Sequence, residues 1–122
     1  MLKIDTEKMM ICLTRGDTAN IVFSAVDDQG NTYTPVLNDV LRFAVAKKVG
    51  ADPLFQKQNV MAGDATAFWT ITIEPADTNP LKFGDYAFDV QLTHDGDVDT
   101  IIGATDEIQP TFRVWGEVAT EE

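Results

Sequence analysis

Apolar and polar positions alternate with a period of two in two runs of this chain. In Phe68–Ile73, Trp69, Ile71 and Ile73 take one face and Phe68, Thr70 and Thr72 the other. In Asp85–Leu92, Tyr86, Phe88, Val90 and Leu92 alternate with Asp85, Ala87, Asp89 and Gln91. Such alternation buries one face and leaves the other in water, which predicts half-buried antiparallel strands. Glu74–Gly84 between them carries two prolines, an asparagine and a glycine and continues neither strand.

The same reading extends along the chain. Residues 1–8 are polar and form an N-terminal arm, and Met9–Thr14 is a first strand ending at the turn Arg15-Gly16-Asp17. Those three residues are also the integrin-binding tripeptide, but they stand where a turn is required. Ala19–Val26 follows, with Ile21, Phe23 and Ala25 on one face, then a hairpin turn at Asp27–Asn31 and a short returning strand, Thr32–Thr34. Residues 38–49 admit two readings. Leu41, Phe43 and Val45 alternate as in a strand, while Leu37, Val40, Leu41, Ala44 and Val45 also share a helical face that Asn38 could cap. Strand is preferred because short strands flank it. Leu54–Val60 is a polar edge strand whose Lys57 discourages edge pairing. A hairpin turn at His94–Asp97, a strand over Val98–Ala104, an irregular Thr105–Pro110 and a last strand over Thr111–Val118 complete the set, before an acidic tail at 119–122. Short strands at roughly ten-residue spacing predict an all-β sandwich of about seven to eight strands in one domain, residues 9–118.

Composition leaves this picture in place. Apolar residues are 44% and charged residues 24%, ordinary for a globular chain. No apolar stretch approaches the ~20 residues of a membrane helix, and the first residues carry no hydrophobic signal region, so synthesis in a cytoplasm without membrane insertion is expected. Cys12 is the only cysteine, which excludes an internal disulfide, and its apolar neighbours mark it as a small core residue. The net charge of −11 is uneven: eight acids face seven bases in residues 1–73, and twelve face two in residues 74–122. That field repels phosphate and argues against nucleic acid. It suits a basic protein partner or a cation, and it also serves solubility alone.

Trp69-Thr70-Ile71-Thr72-Ile73, Asp77 and Gly84-Asp85-Tyr86-Ala87-Phe88 resemble the crossover region of immunoglobulin-like domains. The resemblance implies an immunoglobulin-like antiparallel β-sandwich in which the Tyr86 hydroxyl returns to the backbone, with Phe88 where antibody domains carry a cysteine. Without the resemblance, Tyr86 is a strand aromatic. Thr14-Arg15-Gly16-Asp17, Ile21-Val22-Phe23, Asp28-Gln29-Gly30, Leu41–Lys47 and Phe83–Leu92 together resemble tail-associated proteins of phages and prophages of Gram-positive bacteria. The similarity is to the N-terminal domain of baseplate upper proteins and spans roughly residues 11–114. It implies a virion structural module that contacts other tail or baseplate proteins or itself, and it brings no catalytic residues.

Residues able to carry chemistry are sparse. His94 is the only histidine and Ser24 the only serine, far apart in sequence, and neither a Cys/His cluster nor a phosphate-binding glycine loop is present. No enzyme activity and no cofactor are expected. Asp95, Asp97 and Asp99 follow the start of a calcium loop, but Thr100 takes its sixth position and Asp106 its twelfth, where glycine and glutamate belong. No metal site is expected, and these three aspartates are the candidates if one exists. Trp69, Tyr86 and Phe88 are assigned to structure. Trp115 serves either a partner contact or the plug at the end of the core. The leading expectation is a non-enzymatic assembly module of a phage tail or baseplate, and the alternative is a β-sandwich that binds carbohydrate or calcium.

Overall fold

A computed structural model describes residues 2–5, 9–24, 29–61, 69–105 and 108–116. Among them are nine strands, β1 (Leu2–Asp5), β2 (Met10–Thr14), β3 (Ala19–Phe23), β4 (Val40–Ala46), β5 (Pro53–Val60), β6 (Trp69–Ile73), β7 (Gly84–His94), β8 (Asp97–Ile102) and β9 (Thr111–Trp115), and one helical turn, α1 (Pro75–Thr78). The chain is an all-β sandwich. A large sheet runs β1-β2-β9-β7-β4-β5, with β8 also on β7, and a small sheet pairs β3 with β6.

β7 organises the large sheet because its length lets it serve three neighbours. One edge pairs with β4, from Ala46 opposite Ala87 to Val40 opposite Thr93. The other edge is shared in tandem: β9 takes Gly84–Ala87, and β8 takes Val90–His94 with a register shift at Val90/Gln91. The chain leaves β8 and rejoins the same row as β9, and the Phe88 N–H donates to the Pro110 carbonyl at the junction.

Alternation builds the core. Ala19, Ile21 and Phe23 of β3 and Trp69, Ile71 and Ile73 of β6 face Leu41, Phe43, Val45, Phe88, Val90, Phe112 and Val114 of the large sheet. Phe43 is fully buried at the centre, with the rings of Phe23, Phe55, Phe88 and Phe112 at 5.4–6.3 Å. Those separations suit tilted and edge-on aromatic packing.

Several expectations are corrected. The sandwich is not wholly antiparallel, since β2 and β9 run parallel, Met10 opposite Thr111 through Thr14 opposite Trp115. Parallel neighbours need a long crossover, and here almost the whole domain supplies it. Thr32–Thr34 is no strand: Thr32 makes a single bridge, and Tyr33 turns toward the core to stack on Trp69. Residues 2–5 of the N-terminal arm lie as β1 along β2. The connector after β6 holds a helical turn with Pro75 at its start, where a missing N–H costs nothing. Ala25–Asp28, Phe68, Asp106 and 117–122 lie outside the described residues. Within residues 38–49 the strand is the form adopted over Val40–Ala46, with Leu41, Phe43 and Val45 fully buried and Asn38 left-handed at φ 73° in the turn before it.

The two flanks of the sandwich differ. On the β5–β6 side Lys57, on the inner face of the edge strand, reaches across to Asp77 at 2.9 Å and Glu74 at 3.8 Å, and the Asn59 side chain donates to the Thr70 carbonyl. An inward charge at an edge strand also disfavours pairing with another chain. On the β3 side no described strand pairs with the outer edge.

Candidate functional site

That open side is apolar. A cavity of about 290 Å³ lies along β3 between the sheets, lined among others by Ile4, Met10, Val22, Phe23 and Ile102. Val22 is 59% exposed because the alternation along β3 turns it away from the core that Ile21 and Phe23 enter, and Ile4 of β1 is 47% exposed. Ser24 stands at its rim.

The most developed polar arrangement lies elsewhere, on Asp39. Its position just before β4 carries it inside, where it is 1% exposed. One carboxylate oxygen, Oδ2, accepts from the Tyr33 hydroxyl at 2.6 Å and the Val36 N–H at 2.9 Å, and Oδ1 accepts from His94 Nδ1 at 2.7 Å. Its backbone is engaged as well: its N–H donates to Val36, and its carbonyl accepts from the Met61 N–H. Burial works against the Asp39 charge, but the bonds from Tyr33, Val36 and His94 outweigh it and hold the carboxyl below its ordinary value. Burial, reinforced by the bond to Asp39, pushes the Tyr33 hydroxyl up to about 12. His94 is raised, first by its bond to Asp39 and further by the charges of Asp39, Asp95 and Asp97. Because the carboxylate only accepts, the imidazole proton sits on Nδ1 and Nε2 faces out, 3.5 Å from Asp95 Oδ2.

The remaining candidates fall into separate places. Asp95 and Gly96 form the left-handed tip of the β7–β8 hairpin, φ 50° and 84°, and Asp95, Asp97 and Asp99 are exposed. Among the described residues no three His, Cys, Asp or Glu side chains converge as a metal set. Trp69 is fully buried under the Tyr33 ring at 6.4 Å, and its indole nitrogen has no partner among the described residues. The Tyr86 hydroxyl donates to the Lys82 carbonyl at 2.6 Å, closing the connector onto β7, and Phe88 is buried beside Phe43. Trp115 is half-buried at the end of β9, where its carbonyl accepts from the Arg15 N–H. Arg15 stacks on exposed Phe83 at 4.7 Å. Gly16 of the tripeptide donates its N–H to the buried Thr78 hydroxyl, so that turn is locked to α1. Cys12 is buried.

Sequence reasoning missed Asp39 and Tyr33. Only their meeting with His94, 55 residues beyond Asp39, sets them apart from loop residues. Among the described residues no helix is long and apolar enough to cross a membrane. No protein-family model matches the chain, and no curated protein matches it in sequence.

Proposed function

We propose that the chain is a non-enzymatic assembly module of a phage or prophage tail or baseplate, working through protein–protein contacts. The observation that carries the reading is the outer edge of β3, which no described strand pairs with, beside an apolar cavity, an arrangement that fits an extended strand donated by a tail protein. The immunoglobulin-like part of the reading draws support from three features. β3 pairs with β6 in the small sheet, β2 runs parallel to β9, and the Tyr86 hydroxyl returns to the backbone four residues earlier. The excess of acids over bases beyond residue 73 favours a partner with a basic surface, and such complementarity speeds encounter more than it tightens the complex.

Co-expression with the products of adjacent genes tests the proposal. A complex in light scattering that Val22→Lys weakens, with melting temperature unchanged, is the expected result. Val22 is exposed enough for that change to spare the fold. A chain that remains monomeric beside every neighbour product, or that sits in a metabolic operon, overturns the reading.

A further inference from the structure

We propose that Tyr33, Asp39 and His94 form a proton-operated clasp, holding the segment before β4 against the β7–β8 hairpin more firmly in mildly acid than in mildly alkaline solution. Asp39 joins three parts of the chain at the start of β4, where Val40 lies opposite both Val60 of β5 and Thr93 of β7. Tyr33 and Val36 belong to the segment before β4, Met61 follows β5, and His94 ends β7. Every bond to the side chain requires the carboxylate as acceptor. Of the three donors, only His94 changes charge near neutrality.

The titratable groups around the clasp all push in one direction. Asp39 faces His94 from the segment before β4, Asp95 from the hairpin tip and Asp97 from the start of β8, and Tyr33 lies edge-on to the imidazole at 6.3 Å. Among the described residues no cation is in this set, so the bond to Asp39 and the surrounding charges favour the imidazolium and outweigh the opposing effect of burial. Because the folded His94 is raised above 6.5, its contribution is complete below that pH and fades as pH rises through the folded value. Asp39 is lowered below 3.8, so its contribution is complete above that pH and fades as acid protonates it. The clasp is therefore tightest between these two ordinary values. Above them a neutral imidazole still donates from Nδ1, so the hydrogen bond persists while the charge attraction is lost. Opening frees Tyr33 from its place over Trp69.

Hydrogen exchange on the full chain, followed residue by residue by NMR between about pH 5 and about pH 8, tests this. The informative amides are Val36, bonded to the Asp39 carboxylate, and Met61, bonded to its carbonyl. After correction for the chemical exchange rate, their protection falls with rising pH and levels off as the folded His94 loses its proton in the same spectra. The fall equals the ratio of proton affinities of closed and open His94, so it is predicted from the measured shift without adjustment. In His94→Gln, which leaves an uncharged amide in its place, the same amides show no pH dependence. Constant protection in the unmodified chain overturns the clasp, and so does an equal fall in His94→Gln.

Discussion

The chain has two tyrosines, and removing one hydroxyl from each gives a controlled comparison. Tyr86 donates to the carbonyl of Lys82, an exposed residue, so Tyr86→Phe trades one neutral hydrogen bond for water on the acceptor. Such a bond contributes a net ~0.5–1.5 kcal/mol. Tyr33 donates to a carboxylate that is 1% exposed, where water does not readily replace the lost donor. Bonds to charged groups contribute ~1.5–3 kcal/mol, so Tyr33→Phe is the costlier change by about 1 kcal/mol. Urea denaturation measures both. With a slope of about 1–3 kcal/mol per molar, the two midpoints separate by on the order of 0.5 M. The gap closes in acid, where Asp39 takes up a proton and the Tyr33 bond loses its charge. Equal costs, or a larger cost for Tyr86→Phe, would refute the assignment of Asp39 as a buried, charged acceptor.

Other perturbations follow from the packing. Phe43→Ala removes the ring at the centre of the aromatic cluster and destabilises by about 3–5 kcal/mol, visible as a lowered urea midpoint. Lys57→Val breaks the ion pairs with Asp77 and Glu74, costs less than about 1 kcal/mol, and introduces concentration-dependent association in light scattering because an inward charge no longer guards the β5 edge. Cys12 is 5% exposed, so it reacts with a thiol reagent only at the rate of unfolding, and its modification accelerates as urea is added.

Much of the architecture is legible in local pattern. Trp69, Ile71 and Ile73 are buried while Thr70 and Thr72 are exposed, and Leu41, Phe43 and Val45 are buried as strand periodicity requires. Each face is decided by neighbours one and two positions away, which a sequence displays directly. The Lys57 edge strand and the Asp95-Gly96 hairpin tip are legible for the same reason. Tyr33 is different. Its neighbours are compatible with a strand, and its place over Trp69 depends on a partner 36 positions away. The Asp39–His94 contact spans 55 positions, and nothing near Asp39 separates it from a solvent-facing loop acid.

The sequence by itself therefore determined which residues alternate, where turns break them, that the domain is β throughout, and that its second half is acidic. Tertiary structure decided that β2 lies parallel to β9, that β8 and β9 share one edge of β7, and that a single carboxylate gathers Tyr33 and His94. The division has a physical cause. Alternation and turn chemistry act through the steric and solvation preferences of a few adjacent residues. Strand order and buried polar contacts depend on which distant surfaces meet once the apolar faces close together, and that choice is made by the whole chain at once.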